Sequence, residues 1–253
     1  MNEKVIGIMG AMHEEINSVL ELMNGVEEVS FGRRTYYTGT INGIKTVLVF
    51  SRWGKVAAAT TVTSLITKFN ITDLLFIGVS GAIDPKLKIG DIVIADRLIQ
   101  HDMDARPLMP QFEIPLLRVS YFETDPKHLA IAQQAVEGML NMGIRAFIEP
   151  VEIERFLLYN PRLYTGNIAS GDKFFASQQD KEQLHAALPE TLCVEMEGAA
   201  VAQVCYEYEV PFAVIRIISD ECNENSSIDF PDFIQNVSSR YAHQIIENVF
   251  GLL

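Results

Sequence analysis

An α/β fold, with helices layered on a sheet, is what this chain predicts, on three observations. Short apolar runs alternate with longer stretches of helical periodicity along most of the 253 residues. Hydrophobic residues make up 48% of the chain and are spread throughout, enough for a large core. No Pro/Gly/Ser-rich stretch, charge run, internal repeat or low-complexity segment marks a linker, so residues 1–253 are expected to form a single domain.

The elements follow in order. Residues 5–9 (VIGIM) are a short apolar run, expected as a buried strand. Residues 13–23 carry Ile16, Val19, Leu20 and Met23 at helical spacing. Residues 30–37 and 45–51 are expected as strands, with Asn42-Gly43 a hairpin turn. The Ala- and Thr-rich stretch 56–69 predicts a helix whose small residues let it lie close to a sheet. Residues 74–79 form a strand ended by Ser80-Gly81, and 90–98 another. Residues 128–142 are helical, with Pro126 near the start. Residues 163–170 make a strand leading into Gly171-Asp172. A short buried strand, 192–194, precedes a helix over 198–208. Residues 212–218 are a strongly apolar strand, and 230–250 a closing amphipathic helix.

Charge and cysteine content narrow the classes. Lys and Arg total 20 against 33 Asp and Glu, a formal charge of -13. Such a surface repels phosphate backbones and anionic lipid, so no nucleic-acid or membrane partner is expected. Cys193, Cys205 and Cys222 form no CxxC pair and read best as buried, reduced thiols. The N-terminal stretch is too short and too acidic for a signal peptide, and no apolar run approaches the ~20 residues of a membrane helix, so a cytoplasmic location is expected. On that footing the sequons at Asn70, Asn225 and Asn236 are chance.

Several motifs fail on inspection. Gly7-Ile8-Met9-Gly10 lacks the rest of a dinucleotide fingerprint, and Gly54-Lys55 has Val49 where a phosphate loop needs its first Gly. Gly78-Val79-Ser80-Gly81-Ala82 approaches a nucleophile elbow but ends in Ala and precedes no helical pattern, so a Gly turn lining a pocket is the better account. His101-Asp102-Met103-Asp104 offers one His and two acids, a weak metal pattern. A hydrogen-bonded loop is preferred and no metal site is expected.

Acids stand where acids should be rare. Glu15 follows the first buried strand, Glu195 and Glu197 bracket Met196 after another, and Asp220 ends the most apolar strand of the chain. Ligand sites of α/β sheets form at the carboxyl ends of strands, so these acids are candidates for one pocket. Taken singly, Glu15 or Glu197 could simply complement a helix dipole. Arg216, inside the apolar strand, demands an acid or ligand partner, since an unpaired buried guanidinium costs on the order of 3–5 kcal/mol.

The segments IGIMGAMHEEI, GKVAAA, GDIV, SGDKF, VEMEGAAVAQVC and VIRIISD occur in the order seen in methylthioadenosine/S-adenosylhomocysteine nucleosidases, within the purine nucleoside phosphorylase-like superfamily. The resemblance runs from Val5 through the final helix. It implies a three-layer α/β/α sandwich around a twisted mixed sheet, a homodimer, no metal and no organic cofactor. It implies hydrolysis of the N-glycosidic bond of a 5′-thio-substituted adenosine, a small-molecule substrate. Glu15 would be general base toward water, Glu197 would hold the ribose hydroxyls beside Met196, and Asp220, supported by Ser219, would protonate adenine N7. Phe174 would stack on adenine, and the Phe175 backbone would meet the base edge. Arg216 would hydrogen-bond near Glu197 and the water, and Phe230 would pack against the sugar. Met12, Gly81 and Glu195 complete the expected substrate-binding set.

The chemistry fits those roles. Adenine leaves as an anion unless N7 is protonated, carboxylate charge stabilises an oxocarbenium-like sugar, and water attacking the far face needs a base there. The departures are Arg52 and Trp53 before GKVAAA, Val79-Ser80 in the strand turn, Arg106 in the loop 101–115, and a longer stretch over 149–162. That loop, rich in Pro, Met and Phe, is either an interface with a partner subunit or a self-contained lid. Three rivals remain: a phosphorylase with Arg52 in a phosphate site, a futalosine or AMP nucleosidase using Arg106, and a non-catalytic binding protein.

Overall fold

A computed structural model describes residues 3–222 and 230–253; the Asn225 sequon lies outside them. Ten strands form one mixed sheet: β1 Val5–Gly10, β2 Asn24–Phe31, β3 Arg34–Ile41, β4 Ile44–Phe50, β5 Asp73–Ala82, β6 Ile92–Gln100, β7 Tyr121–Glu123, β8 Leu163–Ser170, β9 Thr191–Glu195 and β10 Phe212–Asp220. The helices are α1 His13–Leu20, α2 Lys55–Phe69, α3 Pro126–Met142, α4 Pro150–Arg155, α5 Gln178–Ala187, α6 Gly198–Glu207, α7 Phe230–Phe233 and α8 Ser239–Leu252. A π-helical turn, Ile234–Ser238, joins the last two.

Layering follows from the pattern along the strands. In β10, Ala213, Ile215 and Ile217 join the cluster packed against α1, α3 and α8, while Phe212, Val214 and Ile218 join that of α2 and α6. Period-two side chains that are apolar on both faces require cover on both, which the two helix layers supply. Ala58 of α2 and Ala199 and Ala202 of α6 are fully buried, the small side chains that let these helices pack closely.

The sheet bends where the site lies. β5 pairs in parallel with β1 and β10, then its last residues, Gly81 and Ala82, pair antiparallel with Val194 and Cys193 of β9. With β10–β6, β6–β8 and β8–β9 also paired, five strands close on themselves. The expected stop at Ser80-Gly81 is thus a crossing point, and β5 continues to Ala82. Gly81 permits it: a Cβ there would run into Cys222 Sγ and lie 3.0 Å from Asp220 Oδ1.

Other expectations shift. The strand expected over 30–37 is two strands around a turn at Gly32-Arg33, both at positive φ, a hairpin geometry that Arg seldom signals. The helix expected over 13–23 stops at Leu20. The closing helix is broken by its π turn. β7, α4 and α5 were not legible as elements. Among the described residues, no helix is long and apolar enough to cross a membrane.

Candidate active site

A cavity of about 350 Å³, a size suited to a small organic ligand, opens where β5, β9 and β10 end. Of the residues expected at the site, Met12, Gly81, Phe174, Phe175, Glu195, Met196, Glu197, Ser219, Asp220 and Phe230 all line it. Glu15 and Arg216 do not; they lie fully buried, outside the cavity wall.

Glu15 sits behind the turn that follows β1. Its Oε2 accepts the Ala11 and Met12 N–H groups, each at 3.1 Å, and its Oε1 accepts the Ser238 hydroxyl at 2.7 Å. Burial outweighs these donors and the Arg216 field, and pushes its carboxyl up to about 7. Ser238 arrives from 223 residues away, on the π turn.

Arg216 stands on β10 among apolar neighbours, its guanidinium 4.0 Å from the centre of the Phe76 ring. The acid partner it demands is Glu195, at 2.7 Å from Nη2 and 3.3 Å from Nε, two residues before the Glu197 near which it was expected. Glu195, expected to hold substrate, is occupied internally. It also accepts Ser170 Oγ, Glu197 N–H and Gly198 N–H, which seats it at the amino end of α6.

Glu197 is the next carboxyl outward. Its Oε1 accepts the Gly54 N–H at 2.8 Å. Burial, and then the neighbouring Glu195 charge, hold it well above the ordinary carboxylate range. Gly54 has φ 88°, a conformation that favours glycine, and a Cβ would lie 3.0 Å from Asp172 Oδ1. Asp220 is held by Ser219 Oγ and the Cys222 N–H, each at 2.9 Å. The mouth is aromatic: Phe174 and Phe230 meet edge to face at 6.2 Å, and His101 packs edge-on to Phe175.

The wall also contains residues outside the expected set: Ala11, Trp53, Val79, Ser80, Lys173, Val194, Cys222 and Pro231. Trp53, Val79 and Ser80 were visible as departures from the family pattern. Cys222 and Pro231 carried no signal of their own. Arg52 turns away from the cavity and donates to the Arg33 carbonyl, while Arg106 pairs with Asp104 in solvent. In the His101–Asp104 loop, Asp102 pairs with Lys55 at 2.5 Å, and among the described residues no group of His, Cys, Asp and Glu could hold a metal ion. A second cavity of about 600 Å³, bounded in part by residues 156–162 of the long stretch, holds none of the expected site residues.

Comparison with known proteins decides the family. Residues 5–250 match the model of the phosphorylase superfamily. The chain belongs to that superfamily. Within it, a 5′-methylthioadenosine/S-adenosylhomocysteine nucleosidase of Staphylococcus epidermidis is 32% identical over 92% of this chain and 94% of its own. A solved nucleosidase of that name from Neisseria meningitidis, in complex with methylthio-immucillin-A, is 29% identical with a TM-score of 0.85, covering 99% and 100% of the two chains. A futalosine hydrolase of Helicobacter pylori is 33% identical with a TM-score of 0.83, covering 99% and 98%. This phosphorylase-superfamily chain is therefore placed among the nucleosidases, and the α/β fold with a mixed sheet is theirs.

Proposed function

We propose that the chain, acting as one domain over residues 1–253, hydrolyses the N-glycosidic bond of 5′-methylthioadenosine and S-adenosylhomocysteine, releasing adenine and the thioribose product. The observation that carries this reading is a single cavity walled by Glu197 and Asp220 with Glu15 directly behind it and, among the described residues, without a free cation. Among the described residues Lys173 is the one cation of the wall, and it pairs with Asp180 at 2.7 Å. Arg216 is committed to Glu195 and Arg52 faces away. Among the described residues a phosphate nucleophile would find carboxyls and no free cation to receive it, which favours water over phosphorolysis.

In this reading Asp220 gives its proton to adenine N7 as the C1′–N9 bond breaks and the bonding pair leaves with the base. Ser219 Oγ and the Cys222 amide fix its orientation. Glu197, anchored by the Gly54 amide, holds the ribose hydroxyls beside Met196. Water bonds to C1′ from the far face and passes a proton to Glu15, whose carboxyl near 7 suits proton transfer at neutral pH. Phe174 offers a stacking face for adenine, and Phe175 its backbone to the base edge.

We place the enzyme in the cytoplasm, in methionine salvage, and in a homodimer. Exposed Val56 on α2 and Leu108 in the loop 101–115 support an apolar contact with a partner subunit. The test is adenine release from methylthioadenosine, S-adenosylhomocysteine and adenosine, with and without phosphate. Free sugar, formed without phosphate, is expected. Release only with phosphate, yielding a sugar 1-phosphate, would move the chain to the phosphorylases.

A further inference from the structure

The long stretch 149–162 has no part in the mechanism, yet its residues 156–162 bound the second cavity. Its apolar side chains divide between two tasks. Ile153, Phe156 and Leu158 anchor it in the core packed against α3 and α8. Gly90, at φ 88°, lets it settle on the loop after β5, since a Cβ there would run into Leu158. Leu157 and Tyr159 instead line the cavity and stay 70% and 64% exposed. Leu157 holds φ 55°, a left-handed backbone that leucine seldom adopts. Among the described residues, the Tyr159 ring has no side-chain partner and keeps its faces open.

The charge of this lining runs against that of the chain. Asp91, 3% exposed, accepts the Lys88 N–H on Oδ2 at 2.9 Å and the Arg162 N–H on Oδ1 at 2.8 Å. One carboxylate thus draws two loops together and is occupied by their amides, while the side chains of Lys88 and Arg162 line the cavity. Among the described residues neither side chain has a hydrogen bond or ion pair. Lys86, paired with Asp84 at 2.9 Å, adds a third cation and lies 5.6 Å from the centre of the Tyr164 ring. Asp91 and Glu221 are the acids of the lining, so three cations face two acids on a chain whose formal charge is -13.

We infer that this cavity is a second binding site, for a phosphate joined to a flat ring in a molecule the size of a nucleoside monophosphate. A volume of about 600 Å³ suits such a ligand. Lys88 and Arg162, set side by side by Asp91, receive the phosphate through charge-assisted hydrogen bonds, and Tyr159 offers the ring a face. The two cavities share no lining residue: Asp220 belongs to one and Glu221 to the other. The second site therefore stands apart from the nucleosidase reading and does not rest on it.

The probes are uridine 5′-monophosphate, uridine and inorganic phosphate, titrated calorimetrically into the full chain at low salt. A pyrimidine has no N7 to meet Asp220. The monophosphate is expected to bind saturably, about tenfold or more tighter than either fragment, and equally well in the presence of saturating adenine. Lys88→Glu/Arg162→Glu reverses two exposed, unpartnered charges. It should weaken the monophosphate by about tenfold or more while Tm and adenine release stay at wild-type values. Tyr159→Ala should weaken the monophosphate and leave inorganic phosphate unchanged. Binding that ignored the charge reversal, or that adenine abolished, would put the nucleotide elsewhere and overturn the proposal. So would inorganic phosphate bound as tightly as the monophosphate, which would leave a cation cluster alone, or a monophosphate that does not bind. A chain that hydrolysed no nucleoside would end the nucleosidase reading and leave this titration as decisive as before.

Discussion

At the floor of the cavity, Glu15 and Arg216 are fully buried and Glu195 borders the space with little exposure, and each carboxylate oxygen there has an internal donor. At the mouth, Trp53 and Phe174 leave 62% and 46% of their surface open, and their contacts are mostly with other aromatic rings or a single carbonyl. The floor spends its polar groups on holding one arrangement; the mouth keeps its faces for a ligand. Glu197 and Asp220 lie between, each held by backbone or neighbouring donors yet bordering the cavity. Substitutions in the middle layer should therefore remove chemistry, and breaking the Arg216–Glu195 pair in the floor should remove stability.

The largest expected effect tests the middle layer. Asp220→Asn keeps an acceptor for Ser219 or Cys222 but cannot protonate N7, so kcat should fall roughly 10²–10⁴-fold. Its melting temperature should stay close to that of the wild type. Turnover at the wild-type rate would remove Asp220 from the mechanism, and a large loss of stability would erase the distinction between the layers.

The floor is tested by Arg216→Met. That variant leaves Glu195 charged and buried without its guanidinium, a loss of about 3–5 kcal/mol, on the order of 10 °C in Tm. The double variant Arg216→Met/Glu195→Gln should recover part of it, because no uncompensated charge remains. Thermal unfolding of the pair decides. If the double variant were no more stable than the single one, packing on Phe76 rather than charge pairing would account for Arg216.

How far the sequence carries differs between these layers. The middle layer was legible because acids that end apolar strands stand out against their neighbours, and a parallel strand end is where a cavity forms. Arg216 announced a buried acid or ligand partner, and the acid is there. Which acid it takes, Glu195, was not legible, because that depends on how β9 lies against β10 and β5, which pairs with both. Ser238 was invisible for a related reason. The π turn inserts an extra residue per turn, so the 3.6-residue pattern loses register where the hydroxyl meets Glu15. The hairpin at Gly32-Arg33 was missed because continuous β-forming residues surround a turn whose second position is an arginine.

The smallest and most diagnostic change lies in the floor itself. Glu15 has its proton held to about 7 in the folded chain, against an ordinary value of 4.5. Between these pH values the folded protein keeps a proton that the unfolded chain has released, so stability falls as pH rises from about 4.5 to 7. Above 7 the whole penalty is present, roughly 3 kcal/mol. Glu15→Gln removes the charge and can keep the geometry, with its carbonyl toward the Ala11 and Met12 amides and its amide donating to Ser238 Oγ. The variant should match the wild type near pH 4.5 and gain on it up to pH 7, then hold a constant advantage of up to about 3 kcal/mol in thermal unfolding. Its activity should nonetheless be lost, while wild-type kcat falls as pH drops below about 7 and the base takes up a proton. A stability difference that ignored pH would mean Glu15 is ionised throughout, with a floor able to hold the charge. A gain in stability without loss of turnover would leave Glu15 a brace for the Met12 turn, and the proton from water would have to go elsewhere.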